Sequence, residues 1–182
     1  MCDLPTKSRR AAAPLFWTMG AQQVGKAAIS AWQELLIPLL GHVPDQIGLW
    51  PFDGLLNPLL SAKQIVIAEV YPAEIYGHIK VELKTADGRP ASKRSQEARQ
   101  RCHQAILNIC AQLDLGLADT AAAELKNGFG AAADGEDRFD AFVGVLGMLM
   151  VICGQLQEGQ PPQDNLRPIE GWLLGMSEKS SL

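Results

Sequence analysis

The sequence predicts an α/β fold in which a central sheet is flanked by helices. The clearest strand is IVIAEV at residues 65–70, because its β-branched residues are typical of a strand buried on both faces in a parallel sheet. Segments with apolar residues at helical spacing lie on both sides of it, at about 21–40 and 95–113. A length of 182 residues suits a single domain, 1–182, which begins with an irregular segment at 1–14.

The elements before the central strand are a helix and a shorter strand. The helix is predicted at 21–40, where apolar residues recur every three or four positions, and Pro38 is expected to kink or end it. The segment LWPFDG indicates a short strand that ends near Pro51. Pro72 ends the central strand, and PAEIYGHI follows it as a short helix.

The second half of the chain is mainly helical. SQEARQRCHQAILNICAQL is amphipathic, with Ser95 as its N-cap. ADTAAAELKNGFG predicts a short helix and a glycine loop, and GEDRFDAFVGVLGMLM predicts a helix with an almost wholly apolar body. The C-terminal piece IEGWLLG has no defined preference.

One strong strand leaves the sheet incomplete. A strand that is apolar on both faces needs neighbours on both edges, because its backbone donors and acceptors must be paired. Three arrangements meet this need: weak segments complete the sheet, a partner chain supplies strands, or sheet-forming residues are missing. An open sheet edge would also allow pairing between copies of the chain, as a homo-oligomer.

Composition and charge exclude several classes of function. The formal net charge is −4, so any nucleic-acid binding must use a local basic patch. No apolar run reaches the ~18 residues of a membrane span, and no cysteine pair has the CxxC spacing of a zinc site. Four cysteines without a signal peptide predict free thiols and a cytoplasmic location.

Glu69 is the first candidate site residue, because it lies in the predicted buried strand. A lone buried carboxylate is costly unless it pairs, takes up a proton or binds a cation. Glu69 is also near the C-terminal end of the strand, where open α/β sheets bind ligands. The structural alternative is that it faces solvent or caps a loop.

The acids at the head of the apolar helix are the second candidate. Asp137 and Asp140 are three apart and Glu136 and Asp140 are four apart, so they share one side of the helix. The helix dipole stabilises acids at this end by ~0.3–1 kcal/mol each, which explains Glu136 and Asp137 without a ligand. Asp140 lies one turn further in, and Gly144 and Gly147 follow it on the same side. That side could meet another backbone closely or leave room for a substrate.

If Glu69 faces Asp137 and Asp140, the three acids form a carboxylate cluster without basic partners. Hard cations such as Mg²⁺ or Mn²⁺ suit such oxygens. Two ions about 3.5–4 Å apart can activate water and stabilise the leaving oxygen of a phosphodiester. The pattern therefore raises the hypothesis of a metal site.

The basic segment KRSQEAR is the candidate for phosphate contacts. Lys93, Arg94 and Arg99 stand at a helix start, from which arginine forks can grip phosphates. The alternative is a solvated helix face, since the chain as a whole is acidic.

Six motifs, in order, resemble the bacterial domain-of-unknown-function family 429, predicted ribonuclease-H-like nucleases. They are FWTMGAQQVGKAAISAW, LWPFDG, VIAEVYPAEIY, KRSQEAR, GEDRFDAFVG and IEGWLLG, and they span about 16–175. The resemblance implies a ribonuclease-H-like fold and makes Glu69, Asp137 and Asp140 both the catalytic residues and the ligands of Mg²⁺ or Mn²⁺.

The chain departs from this family at its N-terminus. Members begin with a strand meander whose first strand carries an aspartate in a GID-like context, and no such segment precedes Phe16. The expected protein is therefore a truncated hydrolase of phosphodiesters, which is inactive if the missing aspartate is essential. The alternatives are a non-catalytic interaction module of the same fold and a small-molecule hydrolase that uses the same acids.

Overall fold

The computed structural model describes residues 24–159 and 171–176, which form two compact units. The first contains the described residues up to Glu69 together with 158–159 and 171–176, and the second is Val70–Gln157. Helices and a small parallel sheet occur together, as in an α/β class. The ribonuclease-H-like arrangement and the single domain stay predictions. The irregular segment 1–14 and the first residues of the helix expected at 21–40 lie outside the described residues.

The first unit opens with a continuous helical run, 24–42. It consists of α1 (Val24–Ser30), a wider π-helical stretch (Ala31–Leu36) and α2 (Ile37–His42). The backbone N–H of Ile37 donates to the carbonyl of Trp32, five residues back, immediately before Pro38. A wider turn at this point gives the proline ring room, so Pro38 does not end the helix.

The sheet of the first unit has two parallel strands. β1 (Ile47–Leu49) pairs with β2 (Ile65–Ile67), and α3 (Leu56–Ala62) connects them. The prediction of a long strand buried on both faces is wrong, because β2 ends at Ile67 and the side chain of Ile65 is exposed. A run of β-branched residues indicates a preference for extended structure, and it carries no information about how many neighbours cover the strand.

The C-terminal piece GWLLGM lies beside the end of the central strand. Leu173 forms an isolated parallel bridge with Glu69, and the backbone N–H of Leu174 donates to the Glu69 carbonyl at 2.8 Å. Trp172 and both leucines are buried. Two weak segments, β1 and the C-terminal piece, therefore supply backbone pairing to residues 65–69.

The second unit consists of five helices. Ser95 is the N-cap predicted from the sequence, since its side chain accepts a hydrogen bond from Ala98 N at 3.3 Å. The single helix expected at 95–113 is interrupted at Cys102 and forms two helices. The helices are α4 (Pro72–His78), α5 (Gln96–Arg101), α6 (His103–Gln112), α7 (Asp119–Lys126) and α8 (Gly135–Ile152).

Helix α8 supplies the largest share of buried side chains in this unit, as predicted. Phe139 and Val143 are fully buried, and Leu146 is nearly so. A Cβ atom at Gly147 would lie 2.5 Å from Cδ1 of Ile75, so α4 approaches α8 at a point where only glycine fits without movement. The glycine side of α8 therefore meets another helix at Gly147. None of the helices in the part of the chain that the structure describes is long and apolar enough to cross a membrane.

Candidate functional site

Asp140 is the one candidate acid that the fold engages from several directions. It lies one turn inside α8 and is partly buried. Its Oδ1 accepts a hydrogen bond from the hydroxyl of Tyr76 on α4, and its Oδ2 accepts one from the ammonium of Lys93. Asp140 thus joins α8 to α4 and to the loop before α5.

The expectation that the candidate acids lack basic partners is wrong for Asp140. Lys93 forms an ion pair with Asp140, and Arg94 Nε lies 3.8 Å from an oxygen of Glu136. The acids on one side of α8 attract the basic residues of the loop that packs next to them. Asp134 is the N-cap residue of α8, but its side chain makes no capping hydrogen bond.

Tyr76 is a hydrogen-bond donor in this network. Burial raises the pKa of the Tyr76 phenol, and the hydrogen bond to the Asp140 carboxylate raises it further. Both effects favour the neutral phenol, because the phenolate would be poorly solvated and would face a negative charge. Tyr76 therefore holds Asp140 in place and is not a base.

The side chain of Arg99 is buried inside the unit, whereas KRSQEAR predicts that it reaches phosphates at the surface. Its side chain is 1% exposed, and its guanidinium donates to three backbone carbonyls. The distances are 2.7 Å from Nε to Gly128 O and 2.6 Å from Nη2 to Gly130 O, and Nη1 donates to Lys93 O. All three nitrogens of the guanidinium thus donate to carbonyls inside the unit. No feature of the sequence indicates this burial, because an arginine near a helix start is usually solvated.

The loop that Arg99 holds has an unusual backbone. Gly128, Phe129 and Gly130 have φ values of 61°, 59° and 79°, in the region that favours glycine. Phe129 tolerates this conformation because its ring is buried and packs edge-on against Phe139, with ring centroids 6.0 Å apart. The segment NGFG was read only as a glycine loop. A pair of glycines around an aromatic residue is the pattern from which a buried, left-handed turn could have been predicted.

Glu69 and Asp137 are both exposed. Glu69 belongs to the first unit, whereas Asp137 and Asp140 belong to the second, so a common site of the three stays a prediction. The earlier placement of Glu69 inside a buried strand is wrong, since the strand ends two residues before it. Within residues 24–159 and 171–176, no group of three His, Cys, Asp or Glu side chains is arranged to hold a metal ion.

The surroundings of Asp140 do not fit a divalent cation as they stand. Each carboxylate oxygen already accepts a hydrogen bond, one of them from a positive ammonium group. A cation on the same carboxylate would be repelled by Lys93 unless that side chain moved away. The metal ligation that the resemblance implies would therefore require a rearrangement of Lys93.

Comparison with known proteins gives no match: no protein-family model, no curated protein and no solved structure is similar enough to this chain to report. The resemblance to family 429 therefore remains a prediction that rests on the six motifs.

Proposed function

We propose that this protein is a binding module that associates with a second copy of itself through the helical run 24–42. The observation that carries the proposal is the exposure of large apolar side chains along this run. The stretch 31–42 contains no buried residue, and the exposed side chain fraction reaches 60% at Leu35. The exposed large residues of the run are Ile29, Trp32, Leu35 and Ile37.

An exposed apolar helix of this kind needs a covering surface. Most of the stability of a helix in a protein comes from packing of its apolar side, and a helix that is apolar nearly all round is usually buried. Contiguous exposed apolar surface is typical of association sites. The run is also long enough for such a contact, since 19 helical residues extend about 28 Å.

Charge favours a second copy as the covering surface. Lys26 and Glu34 are the charged residues of the run, so its formal charge is zero with His42 neutral. A neutral apolar helix offers no particular attraction to an acidic or basic partner, and two copies of it do not repel each other. Symmetric pairing of identical surfaces is the commonest form of oligomer in soluble proteins. The sequence predicts association through an open sheet edge, whereas the association proposed here uses a helix.

Sedimentation velocity over a hundredfold range of concentration tests this proposal. The wild-type chain is expected to shift from monomer to dimer, and Leu35→Glu is expected to abolish the shift because it places a charge in the contact. Val145→Glu is the matched control, because Val145 is an apolar residue with an exposed fraction of 54% on α8. The control should still dimerise. A wild-type monomer at every concentration, or equal effects of the two substitutions, would refute association through this helix.

Metal-dependent hydrolysis of phosphodiesters, which the resemblance implies, is the second candidate. The side chain of Arg94 is 84% exposed and lies next to Lys93, so this corner of the second unit offers a basic group to a phosphate. A nuclease assay on single-stranded RNA and DNA, with chelator and then with Mg²⁺ or Mn²⁺, tests it. Cleavage that needs metal and is lost in Asp140→Asn would support hydrolysis, and cleavage unaffected by that change would exclude a role for Asp140.

A further inference from the structure

Lys93 is held at Asp140 by contacts to its backbone as well as its side chain. Its carbonyl accepts a hydrogen bond from the buried guanidinium of Arg99. It lies in a turn closed by the hydrogen bond from Ser95 N to Ser92 O, at 3.0 Å. The fixed backbone directs the ammonium group to Asp140, so this ion pair is positioned by the fold.

The carboxylate is equally well fixed. The Tyr76 hydroxyl donates to Oδ1 of Asp140, and the Lys93 ammonium donates to Oδ2. The side chain of Asp140 is only 21% exposed. The neighbouring acid on α8, Glu136, faces Arg94 at 3.8 Å. Glu136 and Asp140 therefore each face a basic side chain of the protein itself.

We infer that Lys93 is the resident cation of Asp140 and occupies the position that a divalent ion would take. The ammonium group supplies the positive charge that a partly buried carboxylate needs. Because two cations on one carboxylate repel each other, Lys93 also keeps divalent ions away from Asp140. This inference concerns the second unit and is independent of the association proposed for the helical run 24–42. It opposes the second candidate function, because metal-dependent hydrolysis at Asp140 would need a metal ion where Lys93 lies.

Removal of the lysine charge should convert Asp140 into a cation site. Lys93→Met leaves the Asp140 carboxylate beside the hydroxyl of Tyr76, with the Glu136 carboxylate one turn earlier on α8. Mg²⁺ keeps several of its waters and is commonly held by one or two carboxylates plus phosphate oxygens, so Asp140 can contribute one ligand to a hydrated ion once the ammonium charge is gone. Lys93→Arg keeps a positive charge at the same place and should leave the carboxylate closed to metal.

Thermal unfolding followed by circular dichroism tests the inference, first with chelator and then with millimolar MnCl₂. For wild type and for Lys93→Arg, we expect Mn²⁺ to leave the Tm of each protein unchanged. In chelator, the Tm of Lys93→Met is expected to be lower than that of the wild type. Mn²⁺ is expected to raise the Tm of this variant by at least about 2 °C, since a ligand that binds only the folded state stabilises it. The double variant Lys93→Met/Asp140→Asn must lose this rise, and Arg94→Met, at the adjacent exposed position, must show none.

Three results would overturn the inference. One is a rise in Tm of the wild type with Mn²⁺ that Lys93→Met does not exceed, because lysine would then not exclude the ion. Another is the absence of any rise in Lys93→Met, because the vacated carboxylate would then not accept a cation. If Lys93→Met is unfolded with chelator, recovery of the native spectrum in Mn²⁺ supports the inference, and failure to recover contradicts it.

Discussion

Replacement of the buried Arg99 by methionine should strongly destabilise the second unit. Methionine has a similar length and can fill the apolar part of the space, so the main loss is that of the guanidinium and its donors. Three backbone carbonyls, those of Lys93, Gly128 and Gly130, would lose a charged donor. Arg99 is thus a residue whose loss leaves several polar groups unsatisfied at once.

The magnitude follows from these three acceptors. A buried polar group without its partner costs about 1–3 kcal/mol, and the effects of one residue on several partners are not additive. Water can reach two of the three contacts, which are only partly buried. A loss of about 3–5 kcal/mol in the free energy of unfolding is expected, which is a large part of the ~5–15 kcal/mol typical of a protein. Arg99→Lys should lose at least half as much, because one ammonium group cannot reproduce the geometry of the guanidinium fork.

Urea unfolding followed by far-ultraviolet circular dichroism measures this loss. Tryptophan fluorescence is unsuitable, because all four tryptophans lie in the chain segments of the first unit. Arg94→Met is the matched control, since its side chain is 84% exposed and its change should stay within about 0.5 kcal/mol. A cost below about 1 kcal/mol for Arg99→Met, or equal costs for the two arginines, would show that the carbonyl network does not stabilise this unit.

Three further predictions concern packing, titration and thiol chemistry. Gly147→Ala should lower the free energy of unfolding in urea by about 1–3 kcal/mol, because its methyl group would collide with α4. The methyl group of Gly144→Ala meets no atom within 4 Å, so this change should be neutral or stabilising by up to about 1 kcal/mol. The folded-state pKa of Tyr76 is raised, so the unfolded chain loses this proton first as pH rises, and stability should fall above about pH 10. Tyr76→Phe should make that fall shallower in urea titrations between pH 9 and 11, and an unchanged slope would contradict the assignment. Burial raises the pKa of Cys102 to about 11, whereas Cys153 is exposed. A thiol reagent at pH 8 should therefore modify Cys153 in the native protein and reach Cys102 only on unfolding, which mass spectrometry of the labelled peptides can show.

The sequence by itself determined most of the helices and one cap. The segments PAEIYGHI, ADTAAAELK and GEDRFDAFVGVLGMLM were expected as helices and form the helices 72–78, 119–126 and 135–152, and Ser95 was identified as an N-cap from its own chemistry. These features depend on neighbours within about one turn of the chain, so a local pattern contains the necessary information. The burial of α8 also followed from its composition, because a helix that is apolar on nearly all sides must be enclosed.

Only the tertiary structure decided the chemistry around those helices. The pairing of Lys93 with Asp140 joins residues 47 positions apart, and the contact of Arg99 with Gly130 joins residues 31 apart. No local rule distinguishes a basic residue that will meet solvent from one that will meet a carboxylate or a buried carbonyl. The same limit applies to the central strand, whose short length and pairing with Leu173 depend on which distant segment lies beside it. Local propensity fixes the type of an element, whereas the partners of its polar groups are fixed by packing between segments far apart in the chain.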